Sequence, residues 1–124
     1  MKSISDIKAL GIAEVIVFCV NDGAVMTAWA KDQGVGVDGE GSIINMLNDP
    51  HGELTDALGL RMCHEGPQEK FGQGRCKRFS AFYDDGVLKI LNIAEGEDDP
   101  AGDDRPDASL APVMLKDIAA LATN

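Results

Sequence analysis

Residues 77–92, KRFSAFYDDGVLKILN, decide the architecture of this chain. Two short apolar runs flank Asp84-Asp85-Gly86, and Asp-Gly between such runs is a strong hairpin signal, so an antiparallel strand pair is expected here. Arg78 stands at the mouth of the first strand. In a chain with 11 Lys and Arg against 21 Asp and Glu, and a net charge of −10, a cation in that place asks for a reason.

Upstream, residues 13–20 (AEVIVFCV) form a dense β-branched run, as in a strand buried on both faces. Asn21-Asp22 ends it and supplies a helix N-cap. Residues 22–33 then read as a helix with Ala24, Val25, Ala28 and Trp29 on one side, closed by Gly34. Before this βα unit, Ile4, Ile7 and Leu10 follow the rhythm of a short helix ending at Gly11. After it come the glycine-rich loop 34–41, a short strand at 42–47, a turn at Asn48-Asp49-Pro50 and a short helix at 52–60 with Leu54, Ala57 and Leu58 inward. Residues 61–76 show no period and read as a surface excursion. Beyond the hairpin lie an acidic stretch at 95–107 and a helix at 109–121, capped by Ser109, with Leu110, Met114, Ile118 and Leu121 at helical spacing. The order β, α, β, α, hairpin, α predicts an α/β fold with a mixed sheet, and the 124 residues suit one domain, 1–124.

Composition excludes several functions. The acidic balance and scattered cations disfavour nucleic acid and anionic membranes. No apolar run approaches the ~18 residues of a membrane span, so the chain is expected to be soluble. Residues 1–10 match neither a secretory signal nor a transit peptide. Cys19, Cys63 and Cys76 are odd in number and lack CxxC spacing, which points to a reducing compartment, the cytoplasm or an organelle interior.

Each candidate site is weighed on its chemistry. Gly34, Gly36 and Gly39 satisfy G-x-G-x-x-G, but a helix precedes and a strand follows, so no helix N-terminus is offered to a phosphate and a connector is the reading. Cys63-His64-Glu65 places three potential ligands side by side, and adjacent residues rarely point at one metal; no metal is expected. Glu97-Asp98-Asp99 and Asp103-Asp104 lack the spacing of a calcium loop and read as a solvated acidic segment. No cofactor is expected either. Cys19, in the buried run, behaves as a small hydrophobe. Cys76, with Arg75, Lys77 and Arg78 around it, is the candidate reactive thiol, its thiolate favoured by those cations.

Taken in order, GIAEVIVFCVND, AWAKDQGV, LNDPHGELTDALGL, CKRFSAFYDDGVLKILNIAE and ASLAPVMLKDI resemble the atypical two-cysteine, type-five peroxiredoxins, over nearly the whole chain from Ile7 to Leu121. The resemblance implies a thioredoxin-like mixed sheet flanked by helices. It places the family's active-site arginine on Arg78, in K-R-F-S, where it would hold a cysteine thiolate and polarise a hydroperoxide. The family's P-x-x-x-T-x-x-C motif occurs nowhere in these residues, so the N-terminal strand and the start of the catalytic helix are expected to be absent. Ala108 stands where some members carry a resolving cysteine.

A thioredoxin fold without that interior strand would leave two strand edges facing a gap. Buried unpaired backbone groups cost about 1–3 kcal/mol each against a domain stability of about 5–15 kcal/mol. Three outcomes follow: a longer protein supplies the missing part, the sheet closes differently, or a protein partner or second copy covers the edge. The expected function is a peroxiredoxin-like redoxin domain without peroxidase activity in these residues alone. The alternatives are a non-catalytic interaction subunit, a fragment of an active thiol-dependent hydroperoxide reductase, and a one-cysteine peroxidase using Cys76.

Overall fold

The computed structural model describes residues 4–35, 43–63, 65–72, 74–95, 98–99, 102 and 104–122. The chain divides into two compact units, residues 13–76 and residues 1–12 with 77–124.

In the unit 13–76, strand β1 (Val15–Cys19) pairs in parallel with β2 (Ile44–Asn48), from Val15 against Ile44 to Cys19 against Asn48. Parallel neighbours need a crossover, and helix α2 (Gly23–Asp32) lies within it. Asp22 caps α2 as expected, its carboxylate accepting the Val25 N–H at 2.9 Å.

The inward face of α2 differs from the expectation. Met26 is buried at 3% exposure, whereas Val25 and Trp29 remain open at 47% and 39%. A sheet of two strands has width for one helical stripe, and Met26, with half-buried Ala30 one turn on, occupies it. For the same reason β1 is not covered on both faces, and Ile16 is 51% exposed.

Helix α3 (Glu53–Ala57) turns Thr55 inward rather than Leu54 or Ala57, both of which are exposed. Residues 61–76 are not structureless. They carry α4 (Glu65–Phe71) and return on themselves through an antiparallel bridge between Arg61 and Cys76, with the Met62 N–H donating to the Arg75 carbonyl at 2.8 Å. Leu60, Met62 and Pro67 are buried there. Seven residues give no readable helical period, and a proline in the first turn, where a helix tolerates it, conceals the helix further.

In the other unit, helix α1 (Ile4–Ala9) matches the reading of the first ten residues. The hairpin is β3 (Phe79–Asp84) and β4 (Val87–Ile93), paired from Phe79 against Ile93 to Asp84 against Val87, with an irregularity at Phe82/Tyr83. Asp85 and Gly86 both take positive φ, 51° and 77°, the pair of values a two-residue primed turn demands and the reason Asp-Gly announced it. Helix α5 (Ala111–Ala122) buries Met114 and Ile118 and leaves Leu121 exposed, as is Leu110 just before it. The Asn92 amide ties β4 to this helix by donating to the Asp117 carboxylate at 2.9 Å. Ser109 is not the cap: it sits in a 3-10 turn, Asp107–Ser109, and its hydroxyl donates to the Pro106 carbonyl.

Among the described residues the strands form two sheets of two, a parallel one in the unit 13–76 and an antiparallel one in the other. Also among those residues, no helix is long and apolar enough to cross a membrane.

Gly102 shows how closely the loop before α5 meets the end of β4. Its φ is 69°, and a Cβ there would run into the carbonyl oxygen of buried Ala94. Gly102→Ala is expected to cost at least about 1–3 kcal/mol, read as a lower urea midpoint with an unchanged m-value.

Candidate functional site

A hydrogen-bonded polar cluster of the unit 13–76 is built on Asp49, in the turn after β2. Its backbone N–H donates to the Cys19 carbonyl at 2.9 Å, which fixes it to the end of β1. Helix α3 begins at Gly52, which has no side chain with which to cap it. Asp49 does this from three residues upstream, accepting the Leu54 N–H at 3.2 Å and the Thr55 N–H at 2.9 Å. The Thr55 hydroxyl donates to the same carboxylate at 2.8 Å, and Thr55 is 0% exposed. Burial pushes the Asp49 carboxyl up, but the hydrogen bonds from Thr55, Leu54 and Glu53 outweigh it and hold the group below the usual carboxylate range.

Cys76 meets this cluster through Thr55. Burial is the largest influence on its thiol and pushes it up, opposite to the lowering expected from Arg75, Lys77 and Arg78. Lys77 is engaged elsewhere, 3.1 Å from Glu95, and Arg75 donates to the Asn21 side chain at 3.3 Å. The Thr55 hydroxyl, close to the Cys76 sulfur, works against burial and favours the thiolate. The neighbouring Asp49 carboxylate adds to the upward push, so the Thr55 hydroxyl does not overcome burial. Cys19 is likewise pushed up by burial, with Arg75 opposing.

Arg78 precedes β3 in the other unit; its carbonyl accepts the Ala94 N–H at 3.0 Å and its side chain is exposed. Cys76 and Arg78, close in sequence, thus fall in different units.

The remaining candidates resolve separately. Gly36 and Gly39 of the glycine loop, His64, Glu97 and Asp103 lie outside the described residues. Cys63 is exposed, and its thiol donates to the Arg61 carbonyl at 3.4 Å. Asp98 pairs with Arg105, while buried Asp99 accepts the Asp104 and Arg105 N–H groups and so organises its own loop. Among the described residues no group of three or more His, Cys, Asp or Glu side chains is placed to hold a metal. The Asp49–Thr55–Cys76 association was not read from the sequence; the signal was Asp-Pro-x-Gly, in which a glycine cap leaves the helix start to the preceding acid.

A thioredoxin-like α/β fold with an arginine at the start of the hairpin strand defines the class, and comparison with known proteins gives the family. No family model matches the chain. It is 35% identical over 92 residues to the chloroplastic Peroxiredoxin-2E of Arabidopsis thaliana, covering 73% of this chain and 36% of that protein. It is 32% identical over 110 residues to the peroxiredoxin sll1621 of Synechocystis, covering 89% of this chain and 53% of that one. Reduced Prx3 of Vibrio vulnificus in complex with hydrogen peroxide superposes with a TM-score of 0.75 at 28% identity, covering 99% of this chain and 66% of that one. Peroxiredoxin 5 of Alvinella pompejana gives 0.67 at 27% identity, covering 96% and 64%. The chain belongs to the peroxiredoxin family. It spans about a third to a half of the length of the curated relatives it matches.

The Asp49 cluster sets a pH dependence. A carboxyl lowered in the folded state stabilises fully above its unfolded pKa of about 3.9, and that contribution is lost as pH falls through the lower folded value. Asp49→Asn is therefore expected to be less stable than the parent at neutral pH and to converge on it in acid, measured by urea unfolding across pH. Thr55→Val, which removes a fully buried hydroxyl, is expected to cost about 1–3 kcal/mol at neutral pH.

Proposed function

We propose that these residues form the arginine-bearing part of a single thioredoxin-like thiol peroxidase domain, and that they do not turn over hydroperoxide by themselves. The observation that carries this reading is the Cys76 thiol: it lies nearest Arg78 in sequence, yet burial pushes it up, so it does not supply the ready thiolate that peroxide reduction requires. The family's P-x-x-x-T-x-x-C is the source of that thiolate, and these 124 residues contain no such motif. In the proposed domain Arg78 provides fixed positive charge at the point where a cysteine sulfur attacks the peroxide and the departing oxygen gains charge. The substrate is a hydroperoxide, supported by the Vibrio vulnificus relative solved with hydrogen peroxide.

A second reading, a non-catalytic interaction subunit, is favoured by the apolar side chains left open on the hairpin, Tyr83, Val87, Leu88 and Leu91. Co-purification with a partner, together with an inactive chimera of the kind described next, would favour it over the first.

Peroxide consumption with a thiol reductant is expected to be absent for the 124-residue chain. Activity that Cys76→Ala abolishes would instead establish a one-cysteine peroxidase. A chimera joining the amino-terminal part of the Synechocystis relative to these residues is expected to turn over, and Arg78→Met within it to lose about a hundredfold or more in kcat. A folded chimera whose rate ignores Arg78 would overturn the proposed role.

A further inference from the structure

We infer that Cys19 and Cys76 form a redox pair that closes into an intramolecular disulfide within the unit 13–76. Two separate sets of contacts bring them to one cluster. Along the first, the Asp49 N–H donates to the Cys19 carbonyl at 2.9 Å, the Asp49 carboxylate accepts the Thr55 hydroxyl at 2.8 Å, and that hydroxyl meets the Cys76 sulfur. Along the second, Arg75, adjacent to Cys76, reaches Asn21, two residues beyond Cys19, at 3.3 Å. Both thiols are free and partly buried. Each set of contacts alone would tie one segment to another; together they fix the stretch 75–76 beside the end of β1 at two points.

The chemistry is thiol–disulfide exchange, with a low-molecular-weight disulfide such as oxidised glutathione as the oxidant. One protein thiol loses its proton and attacks a glutathione sulfur. The glutathione S–S bond breaks, and one glutathione leaves and takes up a proton. The second protein thiol, also deprotonated, attacks the mixed disulfide and releases the second glutathione as a thiol. One S–S bond is exchanged for another, and the two electrons lost by the protein thiols reduce the glutathione disulfide. Burial pushes both protein thiols up, so thiolate is scarce and attack is slow. The same burial denies the reduced form the thiolate stabilisation that makes a disulfide oxidising, so the bond, once made, resists reduction. The pair therefore acts as a slow, persistent clasp rather than a cycling catalyst. The clasp fastens the residues immediately before Lys77 and Arg78 to the end of β1.

The test uses the full chain carrying Cys63→Ser, which removes the exposed thiol. The protein is held in a glutathione redox buffer at about pH 8 until its thiol content is constant, then acid-quenched and analysed by intact mass and peptide mapping. A disulfide requires the two Cα atoms to come within about 7 Å, so its formation directly reports the juxtaposition. The expected product has lost two hydrogens, carries no glutathione and yields a cross-linked peptide containing Cys19 and Cys76. Its melting temperature is shifted upward relative to the reduced form, a shift that Cys63→Ser/Cys76→Ser lacks. Two thiols that stay reduced at constancy, or that each carry a separate glutathione, would overturn the pairing. If Cys63→Ser does not fold, the wild-type chain with Cys63 alkylated gives the same readings. No peroxide enters the experiment, so its result stands apart from that of the peroxidase assay.

Discussion

The Asp49 carboxylate is the constraint on which the unit 13–76 depends. A carboxylate at 8% exposure survives only if its lone pairs are taken up, and here Leu54, Thr55 N–H and Thr55 hydroxyl take them. The same residue's backbone holds the end of β1. One residue, by its backbone and its side chain, thus joins the last residue of a strand to the first turn of α3, and through Thr55 the cluster extends towards Cys76. This explains why α3 turns a threonine inward and its leucine outward: the hydrogen bonds to Asp49 fix the rotation of a five-residue helix that has too little apolar surface to fix it by burial.

The hairpin unit rests on a different logic. Its strands are held by the Asp85-Gly86 turn and by α5, which packs Met114 and Ile118 inward and accepts Asn92 at Asp117. The end of β4 is held where Ala94 N–H returns to the Arg78 carbonyl and Gly102 crosses the Ala94 carbonyl. The Arg78 backbone is thereby fixed at the start of β3.

Elements whose signals are local were legible in the sequence. The Asp22 cap, the Asp-Gly turn and the β-branched run at 13–20 each specify backbone geometry within a few residues, and the structure has a cap, a turn and a strand at those places. Burial was not legible in the same way. The inward face of α2 depends on how wide a sheet lies beneath it, and an apolar stripe read without that width points at Val25 and Trp29 instead of Met26. The α4 helix was hidden because its seven residues are too few to show a period. The Cys76 environment was misread because neighbours in sequence are not neighbours in space: three cations flank it, but the group that meets its sulfur is Thr55, twenty-one residues away.

The cation at the hairpin's mouth can now be set against its neighbours. Arg75, Lys77 and Arg78 form a short basic cluster in an acidic chain, and the structure distributes their charges differently. Arg75 turns to Asn21 in one unit, Lys77 to Glu95 in the other, and both are half-buried structural ties. Arg78 is the exposed one of the three. Adjacent cations in sequence thus take up different surroundings, two half-buried ones tying segments within their own units and an exposed one carrying its charge at the surface. The charge of this segment is therefore divided by burial and not by sequence order, because what each cation meets is set by the unit its side chain packs into.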